Sequence, residues 1–127
     1  RQMCIRDSHI SVAHCAGRIA VCASPERCAV DIEPATRDFR RAASRYLTPE
    51  EEALSDDPLL PGIVWCAKET LFKMIGQEEV DFLHHLHVRP FPYAEEGSFT
   101  VYETRTEEGA VYRLDYLVTP DFVLTRS

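Results

Sequence analysis

Asp31 and Glu33 stand two residues apart in CAVDIEP, residues 28–34. On a strand, that spacing sends both carboxylates off one face, roughly 7 Å apart. They repel each other unless a cation sits between them or water surrounds both. A third carboxylate, Glu69, lies in WCAKETLFKMIG, residues 65–76, with Lys68 and Lys73 near it in an otherwise apolar run. A few hard oxygen donors with coordination left open for water and phosphate are what Mg²⁺ uses in phosphoryl-type chemistry. A lysine one turn from such a glutamate offsets substrate phosphate charge without competing for the metal. Each piece alone has a plainer meaning: a solvated strand edge for Asp31 and Glu33, a surface ion pair for Glu69 and Lys73, a core residue for Trp65. The combination points to chemistry.

The elements that must position these groups are legible from pattern. ISVAHC (residues 10–15) and RIAVCAS (18–24) are short β-rich runs separated by the turn Ala16-Gly17, and residues 28–34 form a third strand ended by Pro34. In TRDFRRAASRYL the residues Arg37, Arg40, Arg41 and Arg45 recur at helical spacing, so a helix with a basic side is expected there. Thr48-Pro49-Glu50-Glu51 is a capping-box signature for a short helix to about Leu54. The strongest helix expectation covers residues 61–75, closed by Gly76. On it Trp65, Glu69 and Phe72 share one side. From residue 83 onward the pattern is strand-like, with a hairpin turn at EEGA, residues 107–110. Strands, helices and strands in succession imply an α+β domain, an antiparallel sheet packed against a long helix.

Composition bounds the rest. The chain has 127 residues, 45% of them hydrophobic and 28% charged, which fits one domain. A net charge of −7 argues against a nucleic-acid binder. No apolar run reaches membrane-spanning length and nothing resembles a signal peptide, so a cytoplasmic location is expected. Five cysteines without a CxxC pair fit neither a disulfide framework nor a zinc ribbon, and reduced, mostly buried thiols are expected. The chain starts at Arg1, and RQMCIRDS carries neither strand nor helix periodicity. Residues 1–8 are therefore read as a leader foreign to the fold and residues 9–127 as the domain.

VDIE (Val30 to Glu33), followed by WxxKExxxK at Trp65, Lys68, Glu69 and Lys73, resembles the signature of the 4′-phosphopantetheinyl transferase superfamily. ISVAHC is similar to the ISxSH strand of its surfactin-synthetase-type branch. The resemblance spans roughly residues 9–82. It implies transfer of the phosphopantetheine arm of coenzyme A to a serine of an acyl or peptidyl carrier protein, with release of adenosine 3′,5′-bisphosphate. Carried over by position, it implies that Asp31, Glu33 and Glu69 hold Mg²⁺ and that Glu69 takes the serine proton. It further implies that Lys73 steadies the α-phosphate and leaving group, that Lys68 contacts CoA phosphate and that His14 binds the 3′-phosphate. Ala13 and Cys15 depart from the pattern around the histidine, and Gly76-Gln77-Glu78-Glu79 is more acidic than the usual step after the second lysine. The branch has two similar halves with CoA between them, and this chain matches the second. The expectation is thus one half of a pseudo-dimer, an N-terminally truncated piece; the alternative is a non-catalytic half-domain that needs the missing half or another copy of itself to bind CoA. A plain acidic binding module without chemistry is the rival.

Carrier proteins are acidic, so the stripe Arg37, Arg40, Arg41 and Arg45 is a candidate docking surface, against the plainer reading of a solvated face paired with Glu50 to Glu52. His84, His85 and His87 superficially resemble a metal tract, but without a cysteine pair nearby they read as a partly exposed strand.

Overall fold

In the computed structural model the backbone is described for residues 2–5 and 8–127, and side chains from residue 8 onward. Among the described residues the fold has two antiparallel sheets and one long helix. The first sheet has the order β1 (Gln2–Ile5), β2 (Ser8–Cys15), β3 (Arg18–Ser24). The second has the order β4 (Val30–Pro34), β8 (Phe122–Arg126), β7 (Val111–Val118), β6 (Glu96–Glu103), β5 (Leu86–Val88). The helix α2 (Leu60–Ile75) packs on the second sheet, preceded by the single-turn helix α1 (Pro49–Glu52). The α+β expectation holds.

Local chemistry explains most of these elements. Ala16 and Gly17 both have positive φ (44° and 79°), the conformation a two-residue hairpin between β2 and β3 requires. Thr48 accepts from the Glu51 N–H while the Glu51 carboxylate accepts from the Thr48 N–H, so the expected capping box forms. Gly76, at φ 60°, closes α2 and donates to the Phe72 carbonyl. The β6–β7 turn is held from inside: the buried Glu103 carboxylate accepts from Thr106 N, Thr106 Oγ1 and Ala110 N.

Gln2–Ile5 pairs with β2 as an edge strand, although its residues alternate in no strand-like way; backbone pairing needs no side-chain pattern. Arg1, Arg6 and Asp7 lie outside the described residues. One expectation fails: the basic helix over residues 36–47 does not form. That segment is a series of turns ending in a 3₁₀ turn, Ala43–Arg45. Its backbone bonds go elsewhere: Arg37 N donates to Pro34 O, Arg40 N donates to the Asp38 side chain, and Tyr46 Oη donates to Phe39 O. Phe39 is buried against the bare Cα of Gly62 on α2, where an added Cβ would come within 2.6 Å of the ring. A continuous helix would stack Arg37, Arg41 and Arg45 on one face at repulsive spacing. The turns spread them instead.

Both faces of β4 are covered. Val30 and Ile32 pack with Ala13 and Ala20 of the first sheet, and Asp31 and Glu33 leave the other face, beneath α2. Ser11, fully buried, accepts the Val30 N–H at its Oγ (3.2 Å) and so ties the first sheet to β4. On the other side Thr125 of β8 donates to Cys66 O (3.0 Å) and shares a 2.6 Å bond with Thr70. Those polar ties set the rotation of α2 over β4 and β8.

Lys68 is fully buried and lies within 2.8 Å of Glu51, with further bonds to Tyr46 O (2.6 Å) and Phe82 O (3.1 Å). Glu51 also accepts from Val88 N at 2.9 Å. This pair joins α1, α2 and β5. Removing either partner strands a charge in the core, so Lys68→Met and Glu51→Ala should each lower stability by about 3–5 kcal/mol, read as the shift in a urea unfolding midpoint. A change under about 1 kcal/mol in both would show the pair to be dispensable.

Candidate active site

β4 and α2 bring the sequence-flagged residues to one place, though not all of them. Lys73 Nζ donates to Val30 O at 2.7 Å and stands 3.5 Å from Asp31 Oδ1, so it bridges helix and strand. Asp31 and Glu33 are both buried with their carboxyls adjacent. Asp31 Oδ2 is buried and has no hydrogen-bond partner. Burial first, then the neighbouring Glu33, push the Asp31 carboxyl up to about 8, against a smaller downward pull from Lys73. Too little positive charge reaches these two acids.

Glu69 is half-buried, one turn before Lys73. Its pKa is raised by burial and by Glu33, while Lys73 and Arg37 pull it down. The burial comes from rings: Phe82 packs against both Trp65 (centroids 5.4 Å apart) and Phe72 (5.5 Å), the residues one turn either side of Glu69. Glu69 therefore senses Glu33, but among the described residues no three acidic, histidine or cysteine side chains converge closely enough to cage a metal ion. The expected triad is two acids in contact and a third nearby.

Two expected participants lie elsewhere. Lys68, expected at CoA phosphate, has its three N–H groups taken by Glu51, Tyr46 O and Phe82 O and points away from solvent. A lysine inside an apolar helix face reads alike from sequence whether it serves a site or a buried pair. His14 is exposed on β2. Its neighbours Ala13 and Cys15 face β4, and Cys15 feels the charges of Glu33 and Asp31, so His14 leaves the opposite face of the strand. Structure does not join it to the acids.

One participant was misread from sequence. Arg37 Nη1 bonds Glu33 Oε1, and its guanidinium lies 5.8 Å from the Trp65 ring centre. The i, i+4 spacing of Glu33 and Arg37 is the sequence signal for this pair, which the helical spacing of the arginines masks. Arg40 is drawn to Glu52 (3.6 Å), while Arg41 and Arg45 line a groove of about 610 Å³ with Phe39, Tyr46 and Trp65. Of the histidine tract, His84 pairs with Asp81 (2.9 Å) and His87 stacks on Tyr102 (4.7 Å). Cys28 and Cys66 are buried thiols that donate to His9 O and Asp31 O.

A model of the 4′-phosphopantetheinyl transferase superfamily matches residues 27–125. The chain belongs to this superfamily. Its match begins after β3, so it takes in β4, α2 and the second sheet and leaves out the ISVAHC strand. A comparison with curated proteins gave no match. No described helix is long and apolar enough to cross a membrane. A divalent ion would find hard oxygen donors of the right chemistry in the two adjacent carboxylates, one with a buried oxygen that has no hydrogen-bond partner, while Glu69 on the facing helix would have to close on them to complete a triad.

The same imbalance sets a pH dependence. Asp31 in the fold holds its proton to about 8, well above its ordinary 3.8, so between those values the folded chain binds a proton that the unfolded chain has lost. Stability from this group is full below the unfolded value and is lost as pH rises through the folded one. With chelator present, Asp31→Asn should therefore be more stable than the parent at pH 8 by about 0.5–2 kcal/mol, and little different at pH 4. Thermal unfolding at the two pH values measures it, and an Asn variant less stable at pH 8 would refute the account.

Proposed function

We propose that the chain transfers the 4′-phosphopantetheine arm of coenzyme A to a serine of an acyl or peptidyl carrier protein, as a Mg²⁺-dependent, cytoplasmic enzyme of the surfactin-synthetase-type branch. The observation that carries this reading is the pair Asp31 and Glu33, buried beneath Glu69 and Lys73 with one carboxyl oxygen unsatisfied, within the matched region. Asp31, Glu33 and Glu69 would hold the ion, which when bound supplies positive charge to the CoA pyrophosphate. Serine Oγ forms a bond to the β-phosphorus as the bridging P–O bond breaks, and adenosine 3′,5′-bisphosphate leaves with the bridging oxygen. Glu69 accepts the serine proton; its raised pKa, beside aromatic rings and Glu33, makes it a stronger base than an exposed glutamate. Lys73 has two contacts, Val30 O and Asp31, which leave one N–H for the α-phosphate and leaving oxygen. Lys68 acts through the fold, not through CoA. His14 is assigned to the 3′-phosphate, and the groove of Arg37, Arg41 and Arg45 to the acidic carrier.

Incubation with CoA, Mg²⁺ and an apo carrier protein should add the phosphopantetheine mass to the carrier. Glu69→Gln should slow that gain about 10²–10⁴-fold and Lys73→Ala about 10²–10³-fold. Near-parental rates in both would remove the roles assigned to them.

A second reading rests on the face that carries His14. Val12, Ile19 and Val21 are exposed there, Ile19 by 73% and Val21 by 62%, and the register sets Val12 opposite Val21 and His14 opposite Ile19. A solitary domain seldom leaves a β-branched cluster open to water. On this reading the chain binds CoA only when a partner half or a second copy covers that face. Sedimentation with and without CoA tests it: Ile19→Glu should hold the chain monomeric and abolish CoA binding, whereas a monomer that binds CoA normally would exclude it.

A further inference from the structure

We infer that Arg37 is a resident counter-cation on Glu33, which a divalent ion must displace to occupy the carboxylate site. The inference rests on the metal reading of that site given above. Arg37 follows β4 in a turn fixed by its own N–H to Pro34 O (3.1 Å), which places its side chain one helical step from Glu33 without a helix. Its guanidinium bonds Glu33 Oε1, the acid to which Lys73, committed to Asp31 and Val30 O, makes no bond. The side chain is about half exposed while the Glu33 side chain is only 11% exposed. The mobile member of the pair is therefore the arginine. A second resting place adjoins it: the Trp65 ring at 5.8 Å and the groove that Arg37 already lines with Arg41 and Arg45.

The physical conflict is direct. A guanidinium and a divalent ion on one carboxylate repel, and Asp31 Oδ2, the buried oxygen without a partner, draws the ion into the same cluster. Binding of the ion therefore releases Arg37 from Glu33, and by reciprocity whatever holds Arg37 in the groove favours the ion. Arg37 is thus a positioning residue. It keeps the acid pair compact before loading and gives up its place on loading.

The test uses the full chain with Mn²⁺ as probe, free ion being read by electron paramagnetic resonance. Arg37→Gln should bind Mn²⁺ about two- to five-fold more tightly than the parent, the range expected for loss of a half-exposed competing ion pair, with Arg37→Lys between them. Trp65 is the sole tryptophan, so saturating Mg²⁺ should change the emission of the parent as the guanidinium moves, and change that of Arg37→Gln far less. Equal or weaker Mn²⁺ binding by Arg37→Gln, with the parent binding normally, overturns the inference and leaves the metal reading standing. No Mn²⁺ uptake by either protein overturns both.

Discussion

Two carboxylates on one face of a buried strand, under a helix that brings them a single ammonium, are the constraint to which the rest of the chain answers. β4 is covered on one face by the first sheet and on the other by α2, so neither Asp31 nor Glu33 can turn to water. A strand with one face in solvent would have hydrated them. Here burial first, and the Glu33 neighbour second, make Asp31 hold its proton, while its Oδ2 stays without a partner.

Four of the cationic side chains around this region divide by surroundings rather than by residue type. Lys68 is sealed with Glu51 and backbone carbonyls and joins α1, α2 and β5. Lys73, five positions on, reaches the opposite side of the helix and spans to β4. Arg37 crosses from a turn to Glu33, and Arg40 leaves for Glu52. One lysine is sealed in the scaffold and the other reaches the paired acids. Their exchange of roles would need only a different rotation of α2, which the Thr125 bonds to Cys66 O and Thr70 forbid.

Aromatic packing supplies the remaining element. Tyr46, Trp65, Phe82 and Phe72 form a chain of ring contacts along the side of α2 that carries Glu69. This wall keeps water from Glu69 and lowers the dielectric in which its charge interacts with Glu33 and Lys73. The same wall bounds the arginine groove, so Glu69 and a basic surface share one tryptophan.

What residue order alone established were features of short range. Alternation marked the hairpin of β2 and β3 and the strands β6 to β8, Thr48 to Glu51 marked a helix start, and Gly76 marked a helix end, because each depends on neighbours within about four residues. The pairing of VDIE with WxxKExxxK selected the superfamily for the same reason: motif and spacing are properties of the chain itself. Tertiary structure decided the rest. Whether residues 36–47 coil into a helix depended on Phe39 finding Gly62 and Arg37 finding Glu33. Whether Lys68 or Lys73 met the acids depended on how α2 turned over β8, and whether His14 faced the acids depended on which side of β2 packed on β4. Burial and contact between distant segments set charge balance, and no local pattern encodes which partner a buried charge will meet.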